Sequence, residues 1–445
     1  MRVVREIFEG YSALWLLPLL AVYCCGAGLA RTAPARPVSP FTSPFVPPVL
    51  SPMVMLGIDV LEADRFALVR GKRLGLLTHP AGVNRYGMST VEILRRGKDV
   101  KLVCLFAPEH GIYGNQAASA NVDDTLDLRT GLPVYSLFGK NRKPTREQLK
   151  TIDALVVDLQ DIGVRSYSFS VVMRYAMDAC FAAGVEVIVL DRPNPLGGLK
   201  VDGPMLDREL MSGVGAFPVP YVHGLTMGEL ARLAAAEPGV MDVPEAVRAR
   251  GRLTVVPMRG WRRDMRWLET GLNFVPTSPS ICDFGAVVGY AMIGLGCEET
   301  GFSHSVRPPN SFQVISGGGR TREQLERELE ALRLPGLRFQ SAMTTDGGGR
   351  PCGGVLVQVV DWNAWNPTEL SFHLMRLACR QRMMNPFFML KPMDVSKFNI
   401  HVGSMAWWNA LRRDGARVDV EEFQREWRAQ AQAYREQTKK YWLYQ

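Results

Sequence analysis

The chain has 445 residues, 47% of them hydrophobic and 22% charged, with a formal net charge of +8. That is the composition of an ordinary globular protein, and the length exceeds one usual hydrophobic core, so two domains are expected. The positive excess is spread along the chain with no Lys/Arg run interleaved with aromatics, which argues against nucleic acid as a partner.

Arg2 and Arg5 precede the apolar run Ala13-Leu-Trp-Leu-Leu-Pro-Leu-Leu-Ala-Val-Tyr23, and small residues follow as far as Ala30. The run is too short to span a bilayer as a helix and fits the core of a secretory signal peptide, residues 1–30. The mature chain is therefore expected to be secreted or periplasmic, with no stable membrane span. A lipid anchor on Cys24 fits less well, because Ala-Val-Tyr before it lacks the small residues that precede a lipid-modified cysteine. Residues 31–52 hold seven prolines and read as an extended linker. Of the cysteines beyond residue 30 none is spaced as C-x-x-C, so they are expected to be buried small hydrophobes, with neither a metal site nor a disulfide framework.

From Met53 onward, apolar β-branched runs end in polar knots. Arg73–Leu77 leads to Thr78-His79-Pro80, and Val100–Phe106 leads to Ala107-Pro-Glu-His-Gly111. Ala154–Val157 leads to Asp158-Leu-Gln-Asp-Ile-Gly-Val-Arg165, and Val185–Leu190 leads to Asp191-Arg-Pro-Asn194. Helical segments lie between them: Thr145 and Gln148 form a capping-box pair, and 167–183 carries an apolar face that Gly184 stops. Alternating strands and helices predict an α/β fold with a Rossmann-like, doubly wound parallel sheet, whose strand ends converge on one crevice. No turn is G-x-G-x-x-G, so no dinucleotide, and no other cofactor, is expected. We place this catalytic domain at residues 53–250. A smaller α/β domain over 251–445 closes the cleft, with strands at 253–258 and 354–361 and helices at 321–333, 369–381 and 403–411.

Glu109 is the leading catalytic candidate. It follows a buried strand directly, and a carboxylate partly stripped of water suits general acid catalysis near neutral pH. His110 beside it is read as orienting the substrate, since no G-x-S-x-G elbow supports a nucleophilic triad. Thr78, Asp158, Gln160, Asp161, Arg165 and Tyr167 can hold sugar hydroxyls and a carboxylate, as can Asp191, Arg192 and Asn194; an internal Asp–Arg ion pair is the bland alternative. Asp158-x-x-Asp161 also raises a metal reading, which no compact ligand motif supports. His223 lies just outside the Thr226/Glu229 capping box and can face the cleft. Trp261 and Trp267 are suited to stacking on sugar rings or to anchoring the core. Glu298, in Gly296-Cys-Glu-Glu-Thr-Gly301, is the candidate partner for Glu109, since a glycosidase needs two carboxyl groups across the scissile bond.

At these residues the chain resembles the exo-acting β-N-acetylmuramidases of the NamZ type. The matching segments are Ala107–Gly111, Asp158–Gly163 with Arg165 and Tyr167, Leu190–Pro195, Asp202–Pro204, His223–Thr226 with Glu229, Trp261 with Thr270–Leu272, and the Leu-Tyr close. The resemblance implies an exported glycoside hydrolase that removes N-acetylmuramic acid from the non-reducing end of peptidoglycan fragments. Glu109 would be the acid, Arg165 or Arg192 would meet the lactyl carboxylate, and the sugar's acetamido group is able to assist. Four segments depart from the family. Thr78-His79 stands for Thr-Asn, and Glu298-Glu-Thr-Gly-Phe-Ser303 for Glu-Gly-Thr-Asn-x-Ser. Val306-Arg-Pro-Pro309 replaces Gly-Arg-Gly-Thr, and Thr277-Ser-Pro-Ser280 replaces Pro-Ser-Pro-Asn. A different aglycone or sugar is thereby left open. Two lobes around a cleft also describe an exported muropeptide- or sugar-binding protein without turnover.

Overall fold

The four apolar runs form neighbouring parallel strands of one sheet. The structure is a computed structural model describing residues 54–116, 123–306, 308, 310–345, 350–380 and 384–445, so the expected signal peptide and linker lie outside the described residues. In chain order the strands are β1 (Arg73–Thr78), β2 (Lys101–Ala107), β3 (Thr125–Asp127), β4 (Leu132–Ser136), β5 (Ala154–Asp158) and β6 (Glu186–Leu190). A short antiparallel ribbon follows, β7 (Asp202–Met205) with β8 (Pro220–Val222), and then β9 (Leu253–Val256). The last four are β10 (Phe302–His304), β11 (Val314–Gly317), β12 (Leu337–Thr345) and β13 (Pro351–Val359). The large sheet has the order β3-β4-β2-β1-β5-β6-β9 and is parallel except for β3. The second sheet, β10-β11-β13-β12, is antiparallel throughout.

Period-two alternation explains why the large sheet is covered on both faces. Leu74, Leu76, Val156, Ile188 and Leu190 point into one core, and Leu77, Leu155, Val157, Val187 and Val189 into the other. Each such side chain, taken fully out of water, contributes roughly 1.5–3 kcal/mol. The helix Ser168–Ala183 crosses from β5 to β6 and ends at Gly184, which is left-handed at φ +72° as its stop position requires. Thr145–Gln148 and Thr226–Glu229 both form capping boxes.

One boundary differs from the sequence reading. β9 pairs in parallel with β6, Val187 opposite Leu253 and Leu190 opposite Val256, so the large sheet continues past residue 250. The helix Met227–Ala236 is the crossover that returns the chain to this sheet's edge. The strand we assigned to the smaller domain therefore belongs to the first sheet. The C-terminus returns to the large sheet as well, where Tyr444 donates its hydroxyl to Asp191 Oδ2 at 2.6 Å. Among the described residues no helix is long and apolar enough to cross a membrane.

Candidate active site

Parallel register brings Thr78 opposite Asp158 and Leu77 opposite Phe106, so the polar knots after β1, β2 and β5 share one edge. After β2 the chain turns sharply through His110 and Gly111, both left-handed at φ +71° and +76°. This turn carries Glu109 toward the start of the helix Ser168–Ala183, where Ser168 Oγ donates to Glu109 Oε2 at 2.8 Å. His110 is buried and donates Nδ1–H to the Gln116 carbonyl at 2.8 Å, which fixes the turn from within.

The helix Phe284–Ile293 packs against the segment that follows β5. Tyr290 on that helix donates to the Ser166 carbonyl at 2.8 Å. Burial, with the charges of Glu298 and Glu109 added, pushes the Tyr290 phenol up to about 12 against the pull of its Ser166 bond. One phenol thus feels both carboxylates, one carried from the β2 end and the other from the loop after this helix. Tyr167 packs here as well: its hydroxyl meets Thr277 Oγ1 at 2.7 Å, and its ring packs edge-on to Phe169 and Tyr290.

Glu298 is half-buried, and its Oε2 lies 3.0 Å from Lys397 Nζ. Trp261 and Trp267 are buried, and anchor the core.

Several strand-end residues suggested as sugar ligands are engaged in hydrogen bonds within the fold. Asp158 and Arg192 form a buried two-point ion pair, Nε–Oδ1 2.5 Å and Nη2–Oδ2 3.0 Å, and Thr90 donates to Asp158 as well. That also takes Asp158 out of any Asp-x-x-Asp metal set. Asp191 accepts from the Arg192 and Gly228 amides and from the Thr226 and Tyr444 hydroxyls, so both oxygens are spent. Asn194 bridges the Leu225 carbonyl and the Leu196 amide. Arg165 gives its guanidinium to the carbonyls of Pro204, Val219 and Val402, each at 2.8 Å, and burial pushes it down to about 10. It cannot turn to a lactyl carboxylate without leaving three carbonyls unpaired. Thr78 Oγ1 donates to the Asp158 carbonyl at 3.1 Å and lines a cavity of about 370 Å³ together with His79, Tyr113 and Arg129.

Three candidates keep unspent polar atoms. Gln160 bonds the Asp161 and Pro193 carbonyls through its amide nitrogen, while its Oε1 is buried without a partner. Asp161 Oδ2 accepts from the Gly163 amide at 2.9 Å and lies 3.3 Å from His223 Nε2; Asp161 Oδ1 and His223 Nε2 are both unbonded. His223 Nδ1 accepts the Leu225 amide, so its proton sits on Nε2, facing Asp161.

Sequence reasoning missed Tyr290, Ser168 and Lys397. Ser168 follows Tyr167 directly, at the start of the helix anticipated from 167, and was within reach; the other two become visible only when distant segments meet.

A parallel α/β sheet whose polar knots share one edge, with Glu109 in the turn after β2, matches the arrangement the sequence suggests for an enzyme of the glycoside hydrolase class. The comparisons agree. Family models described as "Exo-beta-N-acetylmuramidase NamZ" match residues 74–284 with the N-terminal part and 288–444 with the C-terminal part, and the chain belongs to this family. It is 41% identical over 314 residues to the peptidoglycan β-N-acetylmuramidase NamZ of Bacillus subtilis (strain 168), covering 70% of this chain and 73% of that protein. Two crystal structures of DUF1343 family proteins from Bacteroides fragilis share the fold. One has a TM-score of 0.79 at 35% identity and the other 0.68 at 25%, each match covering 88% of this chain and 99% of the other.

Proposed function

We propose that this chain is an exo-acting glycoside hydrolase that releases N-acetylmuramic acid from the non-reducing end of peptidoglycan fragments, with Glu109 as general acid/base and Glu298 as the second carboxylate. The observation that carries the reading is the match to the exo-β-N-acetylmuramidase family models over residues 74–284 and 288–444, with Glu109 in the turn that follows β2. Two carboxyl groups flanking one glycosidic bond are what protonation of the leaving oxygen and stabilisation of an oxocarbenium-like transition state require. Ser168 donates a hydrogen bond to the Glu109 carboxylate and so restricts its orientation. Gln160, Asp161 and His223, with unspent polar atoms, are the strand-end residues we assign to the sugar.

The name of the Bacillus relative supports a peptidoglycan-derived substrate, and export by the N-terminal signal would place the enzyme where that substrate is. A two-domain division fits best between residues 284 and 288, where the family models part. The test is release of N-acetylmuramic acid from a disaccharide carrying it at the non-reducing end, wild type against Glu109→Gln. Loss of at least about 100-fold in kcat is expected for a general acid. Tight binding of the disaccharide without turnover would instead mark a receptor.

A further inference from the structure

We infer that Lys397 is a positioning residue for the reaction: its ammonium fixes the orientation of the Glu298 carboxylate and balances its charge. The inference rests on the function proposed above.

The geometry begins with an unusual loop. Glu298 and Glu299 are consecutive carboxylates, and Glu299 has a left-handed backbone at φ +57°. A non-glycine residue in that region costs of order 1 kcal/mol and persists where surrounding contacts hold it. Lys397 Nζ reaches both groups, 3.0 Å from Glu298 Oε2 and 3.8 Å from Glu299 Oε1. Among the described residues no other cation forms an ion pair with either.

The lysine stands on a rigid base. It lies on the helix Pro392–Val402, whose last carbonyls, His401 and Val402, receive the Arg165 guanidinium. Arg165 is bound in turn to Pro204 and Val219, beside the β7–β8 ribbon. Arg165, which the sequence suggests as a sugar ligand, therefore ties the helix that carries Lys397 to the ribbon.

The other groups around Glu298 are Tyr290, Tyr221, Cys297 and His304, all of which feel its charge; Asp394 faces Lys397 from its own helix. Phenols and a thiol are never cationic, and burial lowers the His304 imidazole, so none of these four supplies a positive charge near neutral pH. Burial also pushes Lys397 down, but its bond to Glu298 and the neighbouring carboxylates prevail and raise it. The ammonium is thus the positive partner throughout the working range.

The experiment is the pH profile of kcat/KM on a disaccharide with N-acetylmuramic acid at its non-reducing end, for the full chain and for Lys397→Met and Lys397→Arg. Removing the positive charge makes ionisation of its carboxylate partner harder, so the acidic limb of Lys397→Met moves to higher pH. Because the lysine is half exposed, the shift expected is about 0.5–1 unit. kcat at the optimum falls about tenfold with KM within about twofold, and Lys397→Arg restores the limb. Adding Lys397→Met to Glu298→Gln costs nothing further, since the lysine acts through the glutamate.

The inference is overturned by an unmoved acidic limb in a Met variant of wild-type Tm. It is equally overturned by a loss confined to KM, which would make Lys397 a sugar contact, or by additive losses in the double variant. Wild-type turnover of the disaccharide is the control: without it the proposed function fails, whereas turnover with a silent Glu298→Gln overturns the Glu298 role and the lysine's with it.

Discussion

Arg192 and Asp158 meet at 2.5 Å and 3.0 Å, both essentially out of solvent, at the C-terminal edge of two adjacent strands. Arg192 also donates to the Val83 carbonyl, and Thr90 to Asp158, so the pair ties the loops after β1, β5 and β6 into one floor beneath the cleft. Removing one partner leaves a buried charge uncompensated. Arg192→Leu is therefore expected to lose about 3–5 kcal/mol in urea unfolding. A sugar-binding Arg192 would instead show wild-type stability and a raised KM.

His79 makes the fold acid-sensitive. Burial, with the nearby Arg192 cation, pushes it down to about 3, and burial pushes His373 down to about 4. An unfolded histidine binds its proton near pH 6.5 while these two do not, so their contribution is complete above 6.5 and lost as pH falls toward 3–4. Each removes about 1.4 kcal/mol per pH unit well below 6.5. His79 Nε2 accepts the Gln160 amide at 2.9 Å, a bond an asparagine oxygen can keep. His79→Asn, the residue of the family pattern, should flatten the fall of stability between pH 6 and 4.5 by the share of one histidine. An unchanged slope in urea melts across that range would refute the assignment.

Tyr444 is the last structural link of the large sheet. Its hydroxyl donates to Asp191 Oδ2 and accepts the Met258 amide, far from Glu109 in the chain. Tyr444→Phe leaves both partners short of a bond and should cost about 1–3 kcal/mol. Thermal unfolding checks this; kcat at a temperature where the variant is folded should be unchanged within about twofold.

Ser168 acts directly on the proposed acid. Ser168→Ala removes one hydrogen bond to Glu109, and a kcat about tenfold lower with KM nearly constant is the expected kinetic signature. A rise in KM alone would place Ser168 against the substrate instead.

The large sheet is legible because its strands are apolar on both faces and end in abrupt polar knots, and the capping boxes at Thr145 and Thr226 because they follow a local rule. β9 was misassigned because the Gly/Pro-rich stretch after β6 reads as a domain boundary, although the chain returns to the same sheet. Roles within the knots were less legible. Asp158, Arg165, Asp191 and Asn194 have the residue types that bind sugars, and those same types are needed to satisfy buried backbone groups where strands end. Only the positions of Val402, Tyr444 and Leu225 decide between the two. Tyr290 and Lys397 lie on helices whose patterns announce packing or solvation, so their approach to Glu298 depends on tertiary structure.

The most direct test of the account compares leaving groups. Glu109→Gln should lose at least about 100-fold in kcat on the natural disaccharide, whose leaving oxygen needs a proton. With a nitrophenyl leaving group, which departs without one, the loss of the bond-breaking step should be far smaller. Equal losses on both substrates, or activity that survives nearly intact on the disaccharide, would contradict the assignment of Glu109 as the acid.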